Sequence, residues 1–197
     1  YKLKIESYGL PYTMVNAELE IENKGSRVIK VPETEDLWEL VEFNIFRFEV
    51  DGKVDRSCYT RKMKERIIYG LKYKDLEVGK KKGYSSRNIG KVLGIIDEGE
   101  YQIKGIWDSR KGSNGYKDYW ESEWIKIEFK AEGEDKILIN ELKERYPMKK
   151  GRETIEGYKC LLLDLPYSQN LREYILDHYP TSTYAGWVLV RTSSGFP

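Results

Sequence analysis

The N-terminal part of the chain alternates between apolar and polar residues, which is the pattern of a half-buried β-strand. Residues 1–7 show this alternation first. It is most regular between Met14 and Glu22. From residue 15 onward the odd-numbered positions are apolar (Val15, Ala17, Leu19 and Ile21) and the even-numbered positions are polar (Asn16, Glu18, Glu20 and Glu22). Turn residues 23–26 then lead into a short returning strand that ends at Pro32. The pattern therefore predicts a run of antiparallel strands.

Further strands are predicted along the next hundred residues. Residues 44–50 are rich in aromatic side chains and run into Asp51–Gly52, a strong hairpin signal. Residues 88–96 predict another strand, and the lysines Lys80–Lys82 before it are expected in an exposed turn. Residues 119–129 alternate again and predict one continuous strand.

Behind the last predicted strand the hydrophobic period changes to that of helices. Residues 137–146 have helical spacing and are followed by a proline. Ser168 and Ser182 each precede an apolar periodic stretch and are predicted N-caps of two further helices. We therefore divide the chain into a strand-rich domain, residues 1–131, and a helical extension, residues 132–197.

The stretch that begins at residue 97 has the features of a tyrosine corner. Asp97 and Gly99 form a turn, and Tyr101 opens the next strand, as at the start of strand F in immunoglobulin-like sandwiches. The turn Glu22-Asn23-Lys24-Gly25 and the short strand after it also resemble the front of bacterial immunoglobulin-like domains. This resemblance implies a mainly β fold: an Ig-like antiparallel β-sandwich followed by a small α-helical C-terminal extension.

The C-terminal stretch LREYILDHYPTSTYAGWVLV, residues 171–190, is similar to the helix–turn–helix unit of tetratricopeptide-like repeats. An aromatic-rich helix is followed by Tyr-Pro, a small polar pair, and Tyr-Ala at the start of the second helix. Only one such unit is visible, and repeats need neighbours to bury their faces. The resemblance therefore implies a short helical cap that packs on the sandwich.

The charge balance narrows the range of partners. The chain has 34 Lys and Arg against 33 Asp and Glu, a formal net charge of +1. A dedicated nucleic-acid binder would cluster basic residues, so we predict no nucleic-acid partner. No apolar run is long enough for a membrane-spanning helix. Because the chain begins at Tyr1 and not at Met, we expect a processed extracytoplasmic protein: secreted, periplasmic or attached to a bacterial surface.

Two cysteines, Cys58 and Cys160, leave two alternatives open. They are either independent buried thiols or one disulfide between the sandwich and the helical extension, which requires an oxidising compartment. With a single histidine in the chain, a Cys/His metal site is not expected. No phosphate-binding glycine-lysine loop occurs either. We therefore predict neither a metal nor a cofactor.

Candidate catalytic groups do not assemble into a recognisable set. His178 stands at the predicted end of a helix, where the helix dipole explains it, and no G-x-S-x-G elbow accompanies it. Cys58 as a nucleophile would need that same histidine. Glu121 and Glu123 share one predicted strand face, but paired glycosidase carboxylates work in a cleft, which a sandwich edge does not supply. We predict that the protein is not an enzyme.

Five aromatic residues bracket the predicted loop that follows the tyrosine-corner strand: Trp107, Tyr116, Tyr119, Trp120 and Trp124. They are the candidate ligand-binding residues, and two alternatives are open. In the first, Trp107 and either Trp120 or Trp124 fill the core. In the second, Tyr116, Tyr119 and Trp120 are exposed together as a platform for sugar rings or a peptide.

As a whole, the sequence predicts a non-catalytic extracytoplasmic module for binding, interaction or scaffolding. Its partner is expected to be a protein or a polysaccharide. One alternative is a carbohydrate-binding module that uses the aromatics of residues 107–124. Another is a proteinase-inhibitor-like sandwich that presents its loops. The pattern carries no signal for an oligomeric state.

Overall fold

The protein folds into antiparallel β-sheets followed by a group of helices, as described by a computed structural model. The structure describes residues 1–7, 15–54, 71–86, 89–93, 98–110, 115, 117–150, 155–163, 165 and 168–193. The strands are β1 (Lys2–Ser7), β2 (Val15–Glu22), β3 (Ile29–Pro32), β4 (Phe46–Asp51), β5 (Tyr73–Leu76), β6 (Lys81–Ser86), β7 (Gly99–Asp108), β8 (Tyr119–Glu121), β9 (Ile125–Phe129), β10 (Lys149–Lys150) and β11 (Ile155–Glu156). The helices are α1 (Leu37–Glu42), α2 (Ile89–Leu93), α3 (Gly133–Arg145), α4 (Tyr158–Leu163), α5 (Gln169–His178) and α6 (Thr183–Ser193).

The first sheet is antiparallel and has the strand order β1-β2-β6. Leu19 at its centre pairs with Leu3 on one side and with Tyr84 on the other. The alternation predicted for β2 is confirmed, because its apolar parity is buried: Val15, Ala17, Leu19 and Ile21. Strands β3 and β5 form a separate antiparallel pair.

The second sheet is also antiparallel and is built around β7. Strand β4 pairs with one edge of β7, and places Phe46 opposite Trp107. Strands β8 and β9 follow one another along the other edge. Side chains of a strand alternate between faces. We name the face that holds Tyr101, Ile103 and Trp107, all buried, the inner face, and the opposite one the outer face.

The inner faces of both sheets contribute to one hydrophobic core. Leu3 of the first sheet and Phe46 of the second approach Gly105 so closely that a Cβ at this position would lie 2.6 Å from an atom of each. The Trp107 ring lies 5.7 Å from that of Tyr1 and 6.2 Å from that of Tyr84, measured between centroids. Burying these large rings is a main stabilising contribution to the core.

The C-terminal helices have a second core of their own. At the start of α6, Asp135 of α3 accepts hydrogen bonds of 2.9 Å from the N–H and from the hydroxyl of Thr183. Ser182 Oγ accepts a further bond of 3.0 Å from the N–H of Ala185, so the predicted N-cap is confirmed. The predicted domain boundary at residue 131 stays a prediction, because a separate core does not by itself make a unit that folds alone.

Two predictions made for residues 80–96 are wrong. The predicted strand at 88–96 contains helix α2, in which Ile89 and Leu93 are both buried. Residues four apart share one face of a helix, which explains the burial of both. The exposed turn predicted for Lys80–Lys82 is wrong at Lys82, which lies in β6 with 6% of its side chain exposed. Across the described ranges, no helix is both long and apolar enough to span a membrane.

Candidate functional site

Trp107 and Trp120 lie on the inner face of the second sheet and belong to its core. They stand opposite each other in the pairing of β7 with β8. The Trp107 indole N–H donates a hydrogen bond of 3.1 Å to Ser109 Oγ. The ring of Tyr1 stacks on the half-buried Trp120 ring, with centroids 5.3 Å apart. The positions of Trp107 and Trp120 therefore match the first of the two alternatives, in which these residues fill the core.

An extra residue between β8 and β9 changes which face the side chains occupy. Glu121 pairs with Ile106, and Ile125 pairs with Ile103. Four steps along this edge therefore match three steps along β7, which is the arrangement of a β-bulge. The single regular strand predicted over residues 119–129 is wrong for this reason.

Ser122 anchors the bulge to β7 with two hydrogen bonds. Its N–H donates to the Gly105 carbonyl oxygen at 2.9 Å, and its Oγ accepts from the Gly105 N–H at 3.0 Å. Before the bulge Tyr119 occupies an outer position, and after it Ile125 occupies an inner one. Trp124, immediately before Ile125, therefore reaches the same outer face as Tyr119.

Lys104 is the centre of the outer face. Its Nζ lies 3.0 Å from Glu121 Oε2, 3.1 Å from Glu49 Oε2, and 5.1 Å from the centroid of the Trp124 ring. The hydrogen bond to Glu121, followed by that to Glu49, raises the pKa of Lys104 above its usual value. Only 16% of the Lys104 side chain is exposed. The ammonium is thus fixed between two carboxylates and against an indole ring, a favourable cation–π geometry.

Tyr119 is held by a second set of contacts. The guanidinium carbon of Arg110 lies 4.4 Å from the centroid of the Tyr119 ring. Arg110 Nε and Nη2 donate to the two carboxylate oxygens of Asp108 at 2.8 and 2.9 Å, and this bonding raises the pKa of Arg110. The Tyr119 hydroxyl donates to Glu121, which also binds Lys104. Glu121 therefore links the two sets.

The two outer rings keep part of their surface in water: 39% of Tyr119 and 43% of Trp124 are exposed. Lys104, against Trp124, is four residues from Asp108 on β7, a separation of about 13 Å along a strand. Ile106 lies between them at an outer position and is itself buried, with 1% exposed. We name the following set of outer residues the aromatic–ionic face: Glu49, Lys104, Asp108, Arg110, Tyr119, Glu121 and Trp124.

Carboxylates outnumber cations at the outer positions of the second sheet. By register, the acidic residues there are Glu49, Asp51, Glu100, Asp108, Glu121 and Glu128. The basic residues are Arg47, Lys104 and Lys126 by register, together with Arg110 at the Tyr119 ring. Six carboxylates against four cations leave this face with an excess of negative charge.

The tyrosine corner is described in part. Tyr101 is buried on the inner face, with its ring centroid 5.7 Å from that of Phe129. Gly99 has φ of +149°, a conformation that favours glycine. Asp97 lies outside the described residues, so the corner stays a prediction. Tyr116, the remaining member of the aromatic set, also lies outside the described residues.

Cys160 is disulfide-bonded, which fits the disulfide alternative. Cys58, its predicted partner, lies outside the described residues, so the pairing stays a prediction. His178 is the last residue of α5, where its Nδ1 lies 3.0 Å from the carbonyl oxygen of Tyr174. Its ring stacks on that of Tyr174, with centroids 4.4 Å apart. These contacts give His178 a packing role at the helix end.

The aromatic–ionic face is suited to recognition. Its partly exposed carboxylates accept charge-assisted hydrogen bonds, and the exposed parts of its rings contact apolar groups. As far as the described residues extend, no three His, Cys, Asp or Glu side chains converge as metal ligands would.

Sequence reasoning found the two rings but missed the charged residues that hold them. Glu49 and Lys104 are Cα partners in the β4–β7 pair, a long-range register that local patterns do not reveal. Arg110 was within reach, because Asp108 and Arg110 stand two residues apart at the end of a predicted strand, and directly precede the aromatic loop.

No protein-family model matches this chain, and no curated protein is significantly similar to it.

Proposed function

We propose that the protein is a non-catalytic extracytoplasmic binding module that holds a basic segment of a protein partner on the aromatic–ionic face. One observation carries the proposal: Tyr119 and Trp124 are both partly exposed, each has a cation against its ring, and Glu121 bonds both the Tyr119 hydroxyl and the cation at Trp124. Protein interfaces are enriched in aromatic residues and Arg, and a few such residues provide most of the binding energy.

The two rings are ordered before any partner arrives. Lys104 is bonded to two glutamates and contacts the Trp124 ring, and the Tyr119 hydroxyl is bonded to Glu121. Binding to such a surface loses little side-chain entropy, because the rotamers are already fixed. Because these side chains are ordered in advance, the face is suited to a specific interface with a partner and not only to contact with solvent.

The arrangement favours a peptide-like ligand over a sugar. A sugar platform needs neighbouring rings with free faces, whereas Trp120 is stacked on Tyr1 and each outer ring has a cation against it. The outer contacts spread along β7 over the length of about four extended residues. A Lys or Arg side chain of the partner would pair with the partly exposed Glu49 or Glu121.

We also propose that the two sheets form an immunoglobulin-like sandwich, with the C-terminal helices as a tetratricopeptide-like cap. Support comes from the single core that both inner faces share and from the contacts of Gly105 and Trp107 with the first sheet. A sandwich of this kind leaves the outer face of the second sheet available to a partner, as expected for an adhesion or scaffold module.

Selection from a displayed random-peptide library tests the proposed function. The wild-type protein is compared with the double variant Tyr119→Ala, Trp124→Ala, and with Tyr146→Ala as a matched control. Tyr146 is similarly exposed, at 41%, but follows α3. We expect peptides with Lys or Arg beside apolar residues to be enriched by the wild type and the control, and not by the double variant.

Two outcomes would contradict the proposal. One is that the double variant selects the same peptides as the wild type. The other is that a polysaccharide panel, titrated by tryptophan fluorescence, binds the wild type and loses binding in the double variant. That second result would assign the face to carbohydrate.

A further inference from the structure

A pocket of about 620 Å³ opens at β6, which is an edge strand of the first sheet. Its lining residues are mostly lysines and glutamates, and they include Glu35, Lys74, Lys82 and Tyr84. The pocket belongs to the first sheet, whereas the aromatic–ionic face belongs to the second, so the two are separate sites.

Lys82 occupies a position in β6 that normally holds a core residue. Its Cα partner is Ile21, and two residues further on the same face is the buried Tyr84. The Lys82 side chain is 6% exposed, and Lys82 is the only buried lysine among the residues that the structure describes. Its Nζ lies 5.3 Å from the centroid of the Tyr84 ring.

The positive charge of Lys82 is poorly compensated. The carboxylate in ion-pairing range is that of Glu35, with Oε1 3.6 Å from Nζ, and the Glu35 side chain is 88% exposed. A solvated carboxylate at this distance gives little stabilisation. Burying a cation is costly unless it is well paired. Burial, and then the nearby charge of Lys74, lower the pKa of Lys82.

Lys81 and Lys74, two lysines that line the same pocket as Lys82, differ in whether they have a carboxylate partner. Lys81, next in the same strand, has its Nζ 2.8 Å from Glu20 Oε1, and this hydrogen bond raises its pKa. Lys74 lines the same pocket as Lys82, and within the described part of the chain no carboxylate lies in ion-pairing range of its ammonium. The pocket therefore holds two close cations that lack strong anionic partners.

We propose that Lys82 and Lys74 bind an oxyanion, a phosphate or sulfate group, in the pocket at β6. An oxyanion between the two ammonium groups supplies the charge-assisted hydrogen bonds that Glu35 does not, and removes their mutual repulsion. Tyr84 forms a fixed wall, because its hydroxyl donates to the Pro32 carbonyl oxygen at 3.2 Å.

Calorimetric titration with inorganic phosphate and with sulfate, at an ionic strength held constant with chloride, tests the proposal. Lys82→Met and Lys74→Met should each raise the Kd by about tenfold, since each removes one charge-assisted hydrogen bond. Lys81→Met, at the paired lysine beside them, should leave the Kd unchanged. Glu35→Gln should lower the Kd, because it removes the competing carboxylate from an exposed side chain.

Glucose 6-phosphate, with glucose as its control, separates the two sources of the anion. Tighter binding than inorganic phosphate indicates a phosphate ester, and equal binding indicates a free anion. As a second readout, phosphate should slow acetylation of Lys82, measured by mass spectrometry, and leave that of the exposed Lys136 unchanged.

The proposal is overturned if no probe binds, or if phosphate binds equally to the wild type, Lys74→Met and Lys82→Met. It is also overturned if Glu35→Gln binds no more tightly than the wild type. Should Lys82→Met fail to fold, Lys74→Met and Glu35→Gln decide, since both change exposed side chains.

Discussion

The ammonium of Lys104 lies 5.1 Å from the centroid of the Trp124 ring, on the outer face of the second sheet. Regular alternation from Trp120 would have placed Trp124 on the inner face, among the core aromatics. The bulge anchored by Ser122 brings it outward instead. One extra residue thus turns a core position into part of the aromatic–ionic face, and β-bulges often redirect side chains in this way.

The contact between the two sheets at Gly105 gives a first prediction. Gly105→Ala should lower the free energy of unfolding by about 1–3 kcal/mol, because its Cβ would lie 2.6 Å from Leu3 Cδ2 and from Phe46 Cζ. Gly83→Ala is the matched control in a strand, since its Cβ would meet no atom within 4 Å. Urea denaturation measures both, and equal stability of the two variants would contradict the described packing.

The bonds between α3 and the start of α6 give a second prediction. Asp135→Ala should lower the free energy of unfolding by about 1 kcal/mol, because the N–H and the hydroxyl of Thr183 lose their shared acceptor in a part-buried contact. Lys136→Ala, at the exposed neighbouring position, should change it by no more than about 0.5 kcal/mol. The loss is read from thermal or urea unfolding, and a value for Asp135→Ala no larger than for Lys136→Ala counts against this helix contact.

A third prediction concerns pH and the helices α3 and α5. Glu141 accepts hydrogen bonds from the hydroxyls of Tyr174 and Tyr179, the former having the larger effect, and these bonds lower the pKa of Glu141. The same bonds raise the pKa of Tyr174 and of Tyr179. A lowered carboxyl pKa contributes stability above its usual value of 4.5, and this contribution is lost as the pH falls through the folded-state pKa.

For the tyrosines the sign is opposite: the contribution is present below the usual value of 10.0 and is lost as the pH rises. The melting temperature of the wild type should therefore be higher than that of the double variant Tyr174→Phe, Tyr179→Phe. This difference should be largest between these two pH values. The difference should narrow towards both extremes. Thermal unfolding across the pH range checks this, and a difference that widens on acidification would show that Glu141 is not the acceptor.

The disulfide at Cys160 gives a fourth prediction. Peptide mapping without reductant should find the Cys160 peptide joined to the Cys58 peptide, the other cysteine of the chain. Reduction should lower the free energy of unfolding by about 2–4 kcal/mol, as is usual for a bond that closes a long loop. Recovery of Cys160 as a free thiol from protein purified without reductant would contradict the assignment.

Elements that keep one face in the core and one face in water along their whole length were predictable from the sequence. Strand β2 has one face in the core and one in water, so its alternation is legible from Val15 to Ile21. The capping of α6 by Ser182 depends on neighbouring residues only and is confirmed. Ser168 stands at the predicted N-cap of α5, but its side chain makes no capping hydrogen bond.

Features that depend on long-range contacts were not predictable. Lys82 is buried because β6 pairs with β2, where its partner is the core residue Ile21. Trp120 faces the core because it pairs with Trp107, and the Tyr1 ring that stacks on it comes from the start of the chain. The bulge interrupts the alternation of inward and outward side chains that the sequence pattern alone would continue. Trp124 is therefore identified as the second exposed ring, besides Tyr119, by the register of β9 and not by the spacing of the aromatic residues.

The most direct test of the binding face is the Kd of the tightest selected peptide, measured by calorimetry. Trp124→Ala should raise it by about thirtyfold, the effect of losing an interface residue worth about 2 kcal/mol. Tyr146→Ala, at an equally exposed aromatic outside the face, should leave it unchanged. If the Kd of Trp124→Ala equals that of the wild type, the aromatic–ionic face is not where the partner binds.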